Sequence, residues 1–175
     1  MAKAQSLKER LHHLSVPAGA AIMLVLLVVS LFAGNFRALE KATPKDFIRQ
    51  GDVKSIIEDR IDAANNVAMV ASRVGLEGTQ DVSNAVHALE KAKSAREISR
   101  ADQQLTAAVS RLTTAQLTGE DARSMMRAAD DFAEMGSFLR QEARSYNQKA
   151  EKAEKLYEKL PTKFFLPQPD MYEGV

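Results

Sequence analysis

The chain has no cysteine and no tryptophan. The first absence removes disulfide frameworks, thiolate zinc sites and thiol nucleophiles from consideration. Glycine and proline are scarce, 8 and 5 in 175 residues, while alanine reaches 27. That balance favours long helices over turn-rich sheet. No sign of charge dominates, with 24 Lys and Arg against 23 Asp and Glu. Charges so interspersed, without an aromatic platform, lack the basic field that nucleic-acid binding uses, so no nucleic-acid partner is expected. There is no phosphate-cradling Gly-rich loop, no His-Glu-x-x-His run and no nucleophile beside a recognisable base. No catalytic residue, cofactor site, metal site or small-molecule substrate is expected from these patterns, and the chain reads as non-enzymatic.

The few chemistry-bearing clusters have ordinary explanations. His12 and His13 stand at the entry to an apolar segment. His87 and Glu90 form an i, i+3 pair that lacks further His or Cys ligands and reads as solvated helix surface. Asp130, Asp131 and Glu134 lie beside Arg123 and Arg127 and read as a salt-laced outer face.

The strongest signal is apolar. No Asp, Glu, Lys or Arg occurs from Leu11 to Phe36, and Val16 to Ala33 forms an 18-residue apolar run. This is the short end of the ~17–25 residues that cross hydrocarbon as a helix. Ten of these residues are Val, Ile, Leu or Phe, and at about −0.3 to −0.6 kcal/mol each they favour insertion by roughly 3–6 kcal/mol. The rival reading is a removable signal peptide with Lys8 and Arg10 as its charged start. Val28 and Ser30 suit its cleavage positions only passably, and Leu31 and Ala33 suit them worse. The chain is therefore divided into a basic tail (1–15), a transmembrane helix (16–34), a helical bundle (43–160) and an extended C-terminal tail (161–175). The 1–15 tail nets +2 and residues 34–175 net −1. The positive-inside tendency then places the N-terminus in the cytoplasm and the bundle outside.

Beyond the apolar run the periodicity is helical. Thr43-Pro44-Lys45-Asp46 reads as a helix start with Thr43 as N-cap and Pro44 at N1, with Gly51-Asp52 as a point of interruption and restart. Val53, Ile57, Arg60, Ala64, Val67, Ala71 and Val74 then recur at alternating spacings of 4 and 3, and Gly75 is placed to end the helix. Leu76 to Gln80 reads as loop. Val82, Val86 and Leu89 form a second seam, Ser94-Ala95-Arg96-Glu97 resembles a capping box, and Ala101, Leu105, Ala108, Leu112 and Ala115 form a third. From Met125 to Leu160 the 4,3 alternation runs unbroken through Ala129, Phe132, Gly136, Leu139, Ala143, Tyr146, Ala150, Ala153 and Tyr157, until Pro161 stops it. Small residues on this seam, Gly136 among them, are suited to close helix approach. The predicted fold class is all-α: an N-terminal transmembrane helix followed by an elongated antiparallel helical bundle of three to four long helices.

Two features admit two readings each. Arg60 points at the core, either snorkelling its charge to the bundle edge or forming a buried ion pair with a carboxylate of the long helix, which would fix helix register. Residues 162–175 cannot be helical through Pro167-x-Pro169. Their aromatics either fold back over the bundle or membrane end or form a linear partner motif. Tyr146, on the seam, is expected to be buried with its hydroxyl bonded to a neighbouring helix, and Asn147, one residue off, to matter less for folding.

Two stretches carry a family resemblance. Arg60-Ile61-Asp62-Ala63-Ala64-Asn65-Asn66-Val67 resembles the Arg-x-Asp-Leu-Ile-Pro-Asn-Leu pattern of the LemA proteins at Arg60, Asp62 and Asn66. Ala143-Arg144-Ser145-Tyr146-Asn147, with Pro161 fifteen residues after Tyr146, resembles the family's Ala-Arg-x-x-Tyr-Asn…Pro ending with one residue fewer before the tyrosine. The resemblance covers roughly residues 34–165. Asn65 stands where the motif has proline, Asp59 where it has a second arginine, and Ala153-Glu154 where it has a second Tyr-Asn. The missing proline implies a straighter first helix. The resemblance implies a single-pass membrane protein of bundle fold without an established enzymatic activity, and it marks Arg60, Asp62, Asn66, Arg144, Tyr146 and Asn147 as structural or partner-contact residues. The expected function is a membrane-anchored scaffold or interaction module, with the lipid bilayer and an unidentified protein as partners. Two alternatives stand beside it: a signal-input domain coupled to the membrane, and a secreted or peripheral lipid-binding bundle formed after signal cleavage.

Overall fold

The computed structural model describes residues 16–44, 46–158, 168 and 170–174. The expected basic tail, the helix stop at Pro161 and most of the 161–175 tail lie outside these residues. Every regular element among the described residues is helical: α1 (Val16–Ala42), a single 3-10 turn (Phe47–Arg49), α2 (Val53–Arg73), α3 (Thr79–Lys91), α4 (Ala95–Thr113) and α5 (Gly119–Glu158). The chain divides into two compact units, residues 1–41 and 42–175.

In the first unit, α1 is long and apolar enough to cross a membrane. At 27 residues it measures about 40 Å. Its helix outruns the apolar segment, because Arg37, Ala38, Leu39, Glu40 and Lys41 are all strong helix formers. Thr43, preceding Pro44, is disfavoured in the helical region, and the helix ends there. Its large apolar side chains from Ile22 to Phe36 are exposed, from Val28 at 39% to Met23 at 70%, while Leu39 near its end is buried.

The second unit is a four-helix bundle, α2 to α5. Thr43 does not start its first helix: only the 3-10 turn forms after it, and α2 begins at Val53 with Asp52 as an N-cap that makes no side-chain capping bond. Gly51, at φ +48°, turns the chain between the two. α2 ends at Gly75 (φ +75°), where Leu76 N–H bonds to the Ala71 carbonyl at 2.9 Å and Gly75 N–H to that of Ser72 at 3.1 Å. This is the double bond of a Schellman ending, with Leu76 packed on the core as its apolar contact. The loop is shorter than Leu76–Gln80, since Gly78 (φ +101°) caps α3 and the helix is under way at Thr79. Ser94 and Glu97 form the full capping box at the start of α4. The amides of Lys93 and Ser94 hold the Glu97 carboxyl below its usual pKa.

Direction follows from cross-contacts. The 3-10 turn and α2 meet α5 in succession at Phe47–Tyr146, Arg60–Phe132 and Arg73–Asp121, so α2 and α5 run antiparallel. α3 and α4 form an antiparallel hairpin that Arg111 and Asp81 close at 3.0 Å. The core comes from the expected seams: Val53, Val67, Leu105 and Leu139 are all fully buried. Ala128 is buried where Ala129 was expected, and Ala129 is half-buried.

Candidate functional site

The bundle centre holds a charged side chain. Arg60 is 1% exposed and is the largest of the fully buried side chains. It does not snorkel. Its Nε donates to Asp102 Oδ1 of α4, its Nη1 to the Phe132 carbonyl of α5 at 2.6 Å, and its Nη2 to Thr106 Oγ1 of α4 at 2.7 Å. The guanidinium also lies over the Phe132 ring, with Cζ 3.9 Å from the centroid. The ion pair is buried as the second reading of Arg60 required, but its carboxylate belongs to α4 and not to the long helix. α5 contributes a carbonyl, a π face and room, since Gly136 opposes the guanidinium. The glycine thus accommodates a side chain rather than bringing helix backbones together.

Three helices therefore meet at one cation. The planar fork of arginine suits this use, since it donates in several directions at once and stacks on a ring. Desolvating two charges cancels much of their attraction; what the structure shows is that the guanidinium ties α2 to both α4 and α5.

Asp102 has a second partner. Its Oδ2 accepts from the Tyr172 hydroxyl at 3.3 Å, and Tyr172 is only 5% exposed. Burial raises the Tyr172 pKa far above the usual phenol range, and the charge of Asp102 adds to the rise. The tyrosine ring packs against Phe47 at 5.4 Å, and Phe47 meets the Tyr146 ring edge-on at 5.1 Å. Asn147 holds the backbone of Tyr172 from both sides: its Nδ2 donates to the Tyr172 carbonyl at 2.8 Å, and its Oδ1 accepts from the Tyr172 amide at 3.0 Å. The described part of the C-terminal segment folds back on the bundle.

Of the six residues marked by sequence, Arg60, Tyr146 and Asn147 join this network. Asp62, Asn66 and Arg144 are exposed and stand apart from it. Asp62 helps line a surface groove of about 390 Å³, together with Ile48, Ile57, Ile61 and Leu89 and the charged Lys54, Glu58 and Glu90. The Tyr146 ring is buried as expected, but its hydroxyl makes no hydrogen bond to a described residue, contrary to expectation. Its pKa is raised by burial, with Asp170 and Asp46 adding to the effect. His87 bonds Glu90 at 3.0 Å on the exposed surface, and no group of three or more potential metal ligands occurs among the described residues.

Asp102 was missed, whereas Tyr172 is one of the tail aromatics for which folding back over the bundle was one of two readings. A signal for Asp102 exists in the row Ile98, Asp102, Leu105, Val109, Leu112, which repeats the 4,3 spacing and puts one acid in an apolar seam as Arg60 is in its own. Chemically the centre performs recognition between helices: each nitrogen of the guanidinium and each oxygen of the carboxylate is engaged within the chain. Comparison with protein-family models, curated proteins and solved structures finds no match to this chain.

Proposed function

We propose that this chain is a single-pass membrane protein whose helical bundle serves as a non-enzymatic scaffold or interaction module, with its N-terminus in the cytoplasm. The observation that carries the reading is α1. Its Ile22–Phe32 stretch exposes apolar side chains on every face, and none of its apolar window is buried within the chain. A helix apolar all round needs an apolar surrounding, and the bilayer supplies one. The bundle, by contrast, buries its seams internally and shows water a charged surface.

The resemblance of the Arg60–Val67 and Ala143–Asn147 stretches to LemA proteins supports the same reading. So does the use of Arg60, the first residue of that pattern, as a tie from α2 to α4 and α5. A compact bundle tethered by one anchor keeps its surfaces near the membrane, which suits a scaffold. Crosslinking in intact membranes tests this. Photo-crosslinkers on the exposed positions Asp62, Asn66 and Arg144 are expected to give discrete protein adducts that disappear when α1 is deleted. Adducts with lipid alone would contradict the interaction role.

A further inference from the structure

The segment 170–173 is held as a ligand is held. It forms no helix and pairs with no strand, and side chains of the bundle take up the backbone groups of Tyr172 and the Glu173 carbonyl. Asn147 takes both polar groups of the Tyr172 backbone, and Ser99 donates its hydroxyl to the Glu173 carbonyl. Peptide sites commonly combine such main-chain reading with a pocket for one anchor side chain. The anchor here is Tyr172, buried against Phe47 with its hydroxyl on Asp102.

Charge adds selectivity. Glu173 meets Arg96 at 2.9 Å and Arg100 at 3.5 Å, both on the outer face of α4. Asp170 accepts from the Arg96 amide at 3.4 Å, in the first turn of α4, where the helix dipole favours an anion.

Most of the site is built by the bundle. Apart from Met171 and Tyr172, the core cluster is drawn from the helices, their connections and the 3-10 turn. Arg60 is held by Asp102, Thr106 and Phe132, none of which belongs to the segment. We infer that the cleft between α4 and the C-terminal half of α5 is a binding site for an extended acidic–aromatic peptide of the form Asp-x-Tyr-Glu, with residues 170–173 of this chain as its resident, exchangeable ligand. This goes beyond the anchoring proposal and does not rest on it.

The test uses the full chain in detergent micelles and a labelled synthetic peptide of residues 168–175. Tyr172→Ala in the chain removes the resident anchor, and its helical melt reports whether the bundle persists without it. That variant should bind the peptide saturably. The unsubstituted chain should bind it at least about tenfold more weakly, because a tethered segment competes at an effective concentration near millimolar. Adding Asn147→Ala to the Tyr172→Ala chain, or Glu173→Lys to the peptide, should each weaken binding by about tenfold or more. Absence of saturation up to about 1 mM peptide would overturn the inference. So would binding indifferent to Asn147→Ala and Glu173→Lys. A Tyr172→Ala chain that loses its cooperative helical melt would also overturn it, by showing that the segment is core and not ligand.

Discussion

Gly136 and Arg60 compete for one volume. A Cβ built on Gly136 would lie 2.3 Å from Arg60 Nη1 and 3.0 Å from its Cζ, far inside contact distance. In an open helix, Gly→Ala stabilises by roughly 0.5–1 kcal/mol. Here the methyl must push a guanidinium that is bonded to Asp102, Thr106 and Phe132. Gly136→Ala is therefore expected to destabilise by about 1–3 kcal/mol in denaturant melts. A variant more stable than its parent would mean that Arg60 lies elsewhere.

The Arg60–Asp102 pair should behave as a unit. Arg60→Ala leaves the Asp102 carboxylate buried without its cation and is expected to cost ~3–5 kcal/mol. Asp102→Leu strands the cation in the same way. Combining Arg60→Met with Asp102→Leu removes both charges and should recover a large part of either single loss. A double-mutant cycle by chemical denaturation reads the coupling directly. Strictly additive losses would show that the two side chains do not interact.

Tyr146 and Asn147 should separate by role. Tyr146→Ala removes a buried ring packed on Phe47 and should cost ~3–5 kcal/mol. Tyr146→Phe should cost less than about 0.5 kcal/mol, because the hydroxyl bonds no described residue. Asn147→Ala removes both side-chain bonds to the Tyr172 backbone and should cost ~1–3 kcal/mol. Equilibrium melts that ranked Tyr146→Phe as more damaging than Asn147→Ala would contradict this ordering.

Alkali should weaken the fold through its two buried tyrosines. Both hydroxyls are raised above the phenol value of 10.0, chiefly by burial. Above about pH 10 the unfolded chain releases phenolic protons that the folded chain retains, so stability falls as pH rises. Below that value this contribution is fully present. Thermal melts from pH 8 to 11 should show the decline, and Tyr172→Phe should make it shallower. An identical slope in the variant would show that Tyr172 titrates as an exposed phenol.

Much of the architecture was legible because it rests on short-range regularities. The 4,3 spacing placed Val53, Leu105 and Leu139 in the core, and Ser94 with Glu97 marked a helix start that the structure reproduces. Thr43 misled, since a threonine before proline resembles an N-cap, yet the helical preference of Arg37 to Lys41 carries α1 up to that point. The polar centre was half-legible. Arg60 stands out on its seam, but its partner depends on how three helices rotate about their axes, and heptad spacing leaves that rotation open. Asp102 hides behind Ala101, which satisfies the same spacing. The seating of Tyr172 was less legible still. It spans 70 residues of sequence to reach Asp102 and involves a segment without periodicity, so only the assembled bundle defines its socket.

The proposal of a membrane-anchored bundle meets its most direct test in alkaline carbonate extraction, comparing the full chain with residues 43–175 and following both by intact mass. Anchoring through α1 predicts that the full chain stays in the membrane pellet at full mass, while the 43–175 fragment is soluble, helical and cooperatively melting. A full-length chain extracted into the supernatant, or a soluble product about thirty residues shorter, would contradict it.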